Sequence, residues 1–103
     1  MRKHPAVSKF ISDIDARDSR VSLIGTIVSV DQMNYAFDLD DGSGTIKVLC
    51  SELYDSGKIV RVIGRVVEKD STLSINSEII SDFSNFNLEL YQKALKLGEK
   101  NST

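Results

Sequence analysis

The sequence is poor in the residue types that build metal centres and disulfides. Its 103 residues include one cysteine (Cys50), one histidine (His4), one proline and no tryptophan. A lone cysteine excludes an internal disulfide, and together with one histidine it cannot supply the soft ligands of a zinc site. We therefore expect no metal and no cofactor, and we interpret Cys50 as a small buried side chain rather than a reactive thiol.

Long apolar runs are also missing. No segment approaches the roughly 20 apolar residues that cross a bilayer, and the basic start MRKHPAV lacks the apolar stretch of a secretory signal. These absences predict a cytoplasmic protein that does not bind a membrane. The ordinary proportions of hydrophobic (41%) and charged (27%) residues, at this length, predict one folded domain.

The motifs of common enzymes are absent as well. The sequence has no nucleophile elbow, no P-loop and no glycine-rich dinucleotide turn. GSGT is not a phosphate loop, because a strand pattern rather than a helical pattern follows it. Asp40 and Asp41 form a carboxylate pair whose simplest role is in a turn. We therefore predict a binding protein without a small-molecule substrate rather than an enzyme.

Two segments of similar pattern are the most informative feature that is present. VSLIGTIV (21–28) and VRVIGRVV (60–67) each place a glycine, Gly25 or Gly64, inside a run of strand-forming residues. A mid-strand glycine suits a strand that bends sharply, as the long strands of a small barrel must. A repeat architecture does not fit, because there are two copies and the sequences around them differ.

Three further strands follow from alternating hydrophobicity. YAFDLD, TIKVLC and TLSINSEII each alternate apolar and polar residues, although the last one slips near Ser77. The first two are separated by DDGSG, whose glycines suit a tight hairpin. The side chains of this hairpin that we predict to face the core are Tyr35, Phe37, Leu39, Ile46, Val48 and Cys50.

The order of these elements predicts an all-β fold, a five-stranded Greek-key barrel of the oligonucleotide/oligosaccharide-binding (OB) type with a C-terminal α-helix. In such a barrel the long first and fourth strands pair to close the wall, and a tight hairpin joins the second and third. The connector SELYDSG is predicted to hold a helical turn or a loop that ends at Gly57. The predicted strands cover residues 20–30, 35–40, 45–50, 58–69 and 72–80.

The hydrophobic period changes to that of a helix near the C-terminus. NLELYQKALKL has apolar residues on two adjoining stripes of a helix that we predict to begin after Asn87 and to end before Gly98. The barrel with an N-terminal extension then covers 1–84, the helix 85–98, and a frayed tail 99–103. Because two stripes exceed one contact with a barrel, the helix is predicted to pack on the barrel, on partner subunits, or on both. The expected partner-binding stripe is Leu88, Tyr91 and Leu95, or its neighbour Leu90, Ala94 and Leu97.

Several of these segments resemble a known family. LIGTIVSV, FDLDDGSGTIKV and VRVIGRVV are similar to the OB domains of replication protein A, and most similar to its middle subunit and to small archaeal proteins like it. RKHPAVSKFISDI and FNLELYQKAL also resemble the archaeal proteins, so the likeness covers nearly the whole chain. The resemblance implies a subunit that binds single-stranded DNA in replication and repair and assembles with other OB-fold subunits through the helix after the barrel. For an archaeal protein it implies association with the nucleoid.

The ligand-binding face of an OB barrel can be placed on this sequence. Single strands are bound by cations that follow the phosphates and by aromatic rings that stack on bases. The ligand crosses the outer face of the second and third strands, between the loops that follow the first and the fourth. None of the residues predicted to point outward there is aromatic, and Lys47 is the one base, beside Asp38 and Asp40. These outward residues are Ala36, Asp38, Asp40, Thr45, Lys47 and Leu49.

Other candidate residues flank this face. Asn34 belongs to the loop after the first strand, and Lys69 is next to the loop after the fourth. Arg61 and Arg65 point outward from the fourth strand, where a solvated barrel wall is the competing interpretation. Tyr54, in the connector, would either stack on a base or cap the barrel floor. The predicted nucleic-acid-binding residues are therefore Lys47, Lys69, Arg61, Arg65, Tyr54 and Asn34.

The distribution of charge leaves two functions open. The net charge of −2, and four aspartates without a base over 31–43, are unfavourable for nucleic acid, whereas 45–69 carries five bases and three acids. We predict modest, salt-sensitive binding of single-stranded DNA. The alternative is an architectural subunit that contacts proteins and makes little or no contact with nucleic acid.

Overall fold

The chain folds into strands joined by short turns, and helical residues follow the last strand. The computed structural model describes residues 6–83, 89–91 and 93–94. Residues 89–91 and 93–94 are helical. The elements before them are β1 (Val7–Ser8), a 3-10 helix (Ile11–Asp13), β2 (Arg20–Asp31), β3 (Ala36–Asp40), β4 (Thr45–Leu49), β5 (Ile59–Lys69) and β6 (Thr72–Asp82).

Strands β2 to β6 close into a barrel. Neighbouring strands pair in the order β2-β3-β4-β6-β5, and β5 pairs back with β2. Within the barrel β4 and β6 run parallel and the other pairs are antiparallel. The predicted OB fold is therefore confirmed, with the five predicted strands observed as β2 to β6. The short β1, which pairs in parallel with β2, escapes prediction because two residues are too few to show alternation.

Strand β2 changes its partner at its glycine. It pairs with β5 from Arg20 to Thr26 and with β3 from Thr26 to Asp31. At this point the backbone of β3 passes so close that a Cβ atom on Gly25 would lie 2.7 Å from the carbonyl oxygen of Asp40. Glycine leaves room for this approach, and any side chain would collide with the neighbouring strand.

Strand β5 has the same arrangement at Gly64. A Cβ atom there would lie 2.5 Å from the carbonyl oxygen of Asn76 on β6. Opposite Gly64 the register of β6 jumps from Ile79 to Ser77, which is the irregularity expected near Ser77 from the sequence. The two similar sequence segments are thus the two long strands that shut the barrel, each with a glycine where a neighbouring strand comes close.

The inward faces of the five strands form one apolar core. Phe37 on β3 is 2% exposed, and the ring of Tyr54 packs edge-on against it with 5.7 Å between the ring centroids. Tyr54 comes from the connector between β4 and β5, where the described residues 50–58 form a loop and no helical turn, and where Gly57 has φ of 90°. The other buried core residues are Ile11, Val21, Leu23, Ile27, Leu39, Ile46, Val48, Val60, Val62 and Ile75.

Two residues at the start of β3 differ from the predicted alternation. Tyr35, predicted to face the core, belongs to the preceding turn, has φ of 50° and is 48% exposed. This left-handed backbone removes its side chain from the inward row that begins at Phe37. Ala36, predicted to point to solvent, is 2% exposed. Its methyl group is the smallest side chain in its row, between the longer cross-strand partners Asp31 and Leu49.

The hairpin between β3 and β4 is tied to the N-terminal segment by a buried carboxylate. Asp41 is 3% exposed, and its Oδ2 accepts a hydrogen bond from the backbone N–H of Ile11 at 2.8 Å. Its Oδ1 accepts the backbone N–H and the hydroxyl of Ser43 at 2.9 and 2.6 Å, and the Ser43 oxygen accepts the N–H of Ser12 at 3.1 Å. Asp40 accepts a turn amide at 2.7 Å. Both aspartates therefore bind backbone amides, the turn role predicted from the sequence.

The chain between β1 and β2 is held by an ion pair. Nζ of Lys9 lies 2.8 Å from Oδ1 of Asp18, which also accepts the backbone N–H of Asp15 through its other oxygen at 2.9 Å. The hydrogen bond from Lys9, followed by that from the Asp15 amide, holds the pKa of Asp18 below its usual value. These contacts close residues 9–18 into a loop against the barrel.

Candidate nucleic-acid interface

The outer face of β3 and β4 is the side of the barrel on which a ligand was expected. Asp38 pairs with Lys47 across the ladder, and Asp40 pairs with Thr45. Lys47 and Thr45 are exposed, while both aspartates are half-buried. Along β3 and β4, which the structure describes completely, no outward side chain is aromatic. The two strands therefore offer a ligand one cation and two carboxylates.

Lys47 is available to bind an anion. It forms no hydrogen bond or ion pair with any residue in the described part of the chain. Its charge acts on Asp31, whose pKa is lowered chiefly by the side-chain hydrogen bond from Asn34 and to a smaller extent by Lys47. A solvated ammonium group without an intramolecular partner suits a phosphate, because binding then breaks no contact within the protein.

The turn between β2 and β3 borders this face at one end. Asp31 accepts hydrogen bonds from the backbone N–H of Asn34 at 3.2 Å and from its Nδ2 at 2.8 Å. Asn34, predicted to bind nucleic acid, thus lies beside the face and uses its amide nitrogen to fix the turn. Met33, at the tip of the same turn, is 92% exposed.

Tyr35 is an exposed aromatic residue at the same end of the face, and the alternating pattern missed it. Its carbonyl oxygen accepts the backbone N–H of Cys50 at 2.9 Å, and the Sγ atom of Cys50 lies between this oxygen, at 3.2 Å, and the carbonyl oxygen of Glu52, at 3.1 Å. The next residue, Ala36, pairs with Leu49 at the end of β4. The sequence carries one signal for this position, because DQMN before Tyr35 has the polar composition of a turn and allows the strand to start later.

Lys69 lies at the opposite end of the face. It ends β5, and a two-residue turn with φ of 54° and 64° leads into β6. Lys69 pairs with Thr72, and Ser74, two residues further along β6, lies beside Lys47 on β4. Residues two apart in a strand share a face, so Lys47 and Lys69 project from the same side of the barrel. Lys69 is exposed and has no ion pair within the described residues.

Arg61 and Arg65 lie on a different wall, formed by β2, β5 and β6. Nε of Arg61 donates a hydrogen bond to the hydroxyl of Ser22 at 3.2 Å. Nε of Arg65 lies 3.7 Å from one oxygen of Glu78, and the other oxygen of Glu78 accepts the Nε–H of Arg20 at 2.6 Å. The structure therefore separates these two predicted site residues from the face of β3 and β4 and engages them within the protein.

Tyr54 forms part of the barrel floor. Of its two predicted roles, the structure shows contact with the core, through the ring of Phe37. Burial raises the pKa of its hydroxyl, with smaller contributions from Glu52 and Cys50. Cys50 also packs against the core, and burial raises the pKa of its thiol. A raised pKa favours the protonated thiol over the nucleophilic thiolate.

The C-terminal helical residues include covered and exposed side chains. Tyr91 is half-buried, whereas Leu90 is 63% exposed and Ala94 is exposed. Leu90 and Ala94 are four residues apart and therefore share one face of the helix. The exposed stripe is thus the second of the two considered from the sequence. Residues of the helix prediction that lie outside the described residues are Asn87, Leu88, Leu95, Leu97 and Gly98.

The described residues contain neither a metal-binding cluster nor a membrane-spanning helix. No group of three or more histidine, cysteine, aspartate or glutamate side chains among them is placed to hold a metal ion. None of the helical residues in the described part belongs to a helix long and apolar enough to cross a membrane. The groups that the candidate interface presents are the two lysines, the carboxylates of β3 and the ring of Tyr35.

The strand order, the central hairpin and the helical residues after the barrel define the class of this protein, an OB-fold subunit. A family model described as replication factor A protein 3 matches residues 8–102. The chain belongs to the replication factor A protein 3 family. The likeness to replication protein A seen in the sequence is therefore confirmed, with protein 3 as the matched family where the sequence most resembled the middle subunit. No curated protein was found to match the chain.

Solved structures share the same fold. The Stn1-Ten1 complex of S. pombe matches with a TM-score of 0.70 and 19% identity over 96% of each chain. The telomere capping protein Ten1, described as from Saccharomyces pombe, matches with a TM-score of 0.67 and 20% identity over 93% of this chain and 99% of that one. A replication protein A heterotrimer bound to single-stranded DNA matches with a TM-score of 0.62 and 17% identity over 91% and 80%. At these identities the likeness shows the fold alone.

Proposed function

We propose that this chain is a single-stranded-DNA-binding subunit of a replication protein A-like heteromeric complex that acts in DNA replication and repair. Membership of the replication factor A protein 3 family and the closed OB barrel support this function. A likeness in fold to a heterotrimer bound to single-stranded DNA is consistent with it. The proposed role is binding rather than catalysis, in the cytoplasm, where single-stranded DNA would be met on the nucleoid of an archaeal cell.

Lys47 supports this proposal most directly, because its ammonium group is exposed and unengaged within the described chain. It stands in the middle of the expected ligand face, exposed and without a hydrogen bond or ion pair to the rest of the described chain. Lys69 projects from the same side at the far end. Two such lysines would contact phosphates and release counterions, so that binding weakens as the salt concentration rises. Asp38 and Asp40 beside them keep the affinity modest.

Fluorescence anisotropy of a labelled oligothymidine, titrated with the full chain at two salt concentrations, tests this proposal. We expect binding at low salt that falls at high salt, and a further loss of about tenfold for Lys47→Glu. Lys58→Glu is the matched control, because Lys58 is also exposed but precedes β5, outside the face. Equal losses for both variants would indicate dependence on net charge alone. Absence of binding at low salt would exclude the proposed function.

An architectural role is the second candidate, favoured by the exposed helical stripe of Leu90 and Ala94. We propose that this stripe packs against a helix of another OB-fold subunit, since an exposed leucine on a helix is stabilised by such contact. Sedimentation of the full chain mixed with a candidate OB-fold subunit, compared with Leu90→Glu, tests the contact. A complex lost in Leu90→Glu supports it, and a complex unchanged by the substitution contradicts it. The neighbouring Glu89→Lys serves as the control.

A further inference from the structure

Tyr35 differs from the other aromatic residues that the structure describes. Phe10 and Phe37 are buried, and Tyr54, Phe83 and Tyr91 are half-buried. Among residues 6–83, 89–91 and 93–94, Tyr35 alone among the aromatics is classed as exposed, with 48% of its surface open to solvent. The proposed single-strand binding leaves this ring without a role, because Tyr35 lies in a turn and not on the strands of the face.

The backbone of Tyr35 is held in a conformation that a tyrosine rarely adopts. Its φ of 50° is in the left-handed region, which glycine, asparagine and aspartate tolerate best. The backbone N–H of Cys50 donates a hydrogen bond to the carbonyl oxygen of Tyr35, and Asn34 just before it is bonded to Asp31. The strain is thus maintained by contacts on both sides of the residue. A ring with a fixed backbone loses little freedom when a ligand binds, which favours affinity.

The surroundings of Tyr35 suit a base better than a phosphate. Asp31 in the same turn carries negative charge that would repel a phosphate at this end. Leu49, which is 38% exposed, ends β4 beside the start of β3 and adds apolar surface. Lys47 is two residues back from Leu49, about 7 Å along β4. The turn that carries Tyr35 therefore lies at the end of a strand that also carries an exposed cation.

We propose that Tyr35 stacks on one base of a bound single strand and is the aromatic platform that the strands of the β3–β4 face lack. This inference rests on the proposed function and assigns to it a residue at one end of the face. The stacking is tolerant of sequence, because every base has an aromatic surface. The ligand of Tyr35 is a base of nucleic acid, and the phosphate contact of the same strand is assigned to Lys47.

The experiment uses the full chain and a labelled oligothymidine at low salt. Tyr35→Asn removes the ring while keeping a residue that accepts left-handed backbone, and it is expected to weaken binding roughly 5- to 150-fold. Tyr35→Phe is expected to bind like the parent chain, because the stacking surface is kept. Ile79→Ala, which shortens a side chain 51% exposed on β6, is the control for loss of surface apolar area and is expected to bind normally.

A fluorescent variant provides an independent reading. The chain has no tryptophan, so Tyr35→Trp reports from this site alone, and its emission is expected to be quenched when the oligonucleotide binds. Parent-like affinity in Tyr35→Asn, or an unquenched Tyr35→Trp that still binds, would overturn the role of Tyr35 while leaving Lys47-dependent binding in place. If the parent chain itself does not bind, the proposed function fails together with this inference. Melting curves of each variant confirm that it is folded.

Discussion

On the face of β3 and β4, Lys47 has no partner within the described chain, whereas on the wall of β2, β5 and β6 each of three arginines has one. Arg61 is bonded to Ser22, and Glu78 serves both Arg20 and Arg65. The arginines are already engaged within the protein, and the lysine has no such contact in the described chain. The number of bases on a strand therefore says less about binding than the contacts that those bases already make.

The source of this difference is a bulge. The register of β6 shifts opposite Gly64, so that Glu78 has no partner of its own in the ladder and its carboxylate reaches arginines on two strands. On the other face the ladder between Asp38 and Lys47 is regular, and the two side chains form no ion pair with each other. Local strand geometry thus decides which charges are neutralised.

We expect the largest effect from a substitution that opens the barrel, because both surfaces are then lost together. Gly64→Ala would place a methyl group against the carbonyl oxygen of Asn76, which belongs to the backbone and cannot rotate away. We expect a loss of about 3 kcal/mol or more in the free energy of unfolding, measured by urea denaturation. Gly44→Ala is the control, because its nearest neighbour would be a side-chain atom of Ile11 at 3.4 Å. Equal stability of the two variants would contradict the role of Gly64 in closure.

The next effect is confined to the hairpin end of the β3–β4 face. Asp41→Ala would leave the backbone N–H groups of Ile11 and Ser43 without their acceptor, at a cost of about 2 to 3 kcal/mol. Faster hydrogen exchange at these two amides would locate the loss at the hairpin. Asp40→Ala, which removes an acceptor from one turn amide, is expected to cost less than about 1 kcal/mol. The reverse order would contradict the importance of the buried carboxylate.

A smaller effect tests whether the wall of β2, β5 and β6 fails to bind nucleic acid because its arginines are already paired. Glu78→Gln removes the shared carboxylate of Arg20 and Arg65, and we expect the affinity for oligothymidine at low salt to rise about 3- to 10-fold. Glu68→Gln is the matched control, since it makes the same change in net charge at an exposed position of β5. A similar gain in both variants would show that total charge, and not the pairing, limits binding.

The smallest effect depends on pH and concerns the loop before β2. The pKa of Asp18 is lower in the folded chain than in the unfolded one, so its contribution to stability is present above the unfolded pKa of about 4 and is lost as the pH falls through the folded value. We expect Lys9→Met to cost less than about 1 kcal/mol at pH 7, and a cost that shrinks as the pH is lowered below about 4, by thermal melting. A difference that is constant over this range would contradict the ion pair.

Much of the barrel could be predicted from the sequence because its signals are local. Alternation identifies Phe37 and Val48 as inward residues, and the glycines in the two similar segments mark the long strands. The pattern is wrong at Tyr35, where a left-handed turn residue breaks the period of two, and at Ala36, which is buried. It also cannot show that Asp41 is buried, because the donor at Ile11 is distant in sequence.

The candidate site was less predictable than the fold, since a charged side chain is available to a ligand when it has no partner within the protein. The outward direction of Lys47 and Lys69 follows from the alternation of side chains along their strands. The engagement of Arg65 depends on Glu78, whose position arises from a bulge that the sequence shows merely as a slip near Ser77. Tyr54 is an aromatic residue of a connector, which suits stacking on a base, but in the structure its ring packs against the core residue Phe37.

The ladder between β4 and β6 spans residues 47–49 and 74–76, the shortest seam that closes the barrel in the described chain. We expect this strand pair to open first in local fluctuations of the barrel, because few hydrogen bonds must break there at once. Lys47 lies at one end of this seam. A single strand bound across β4 and β6 would contact both sides of this short pairing. Binding of the ligand would then also make the barrel more rigid.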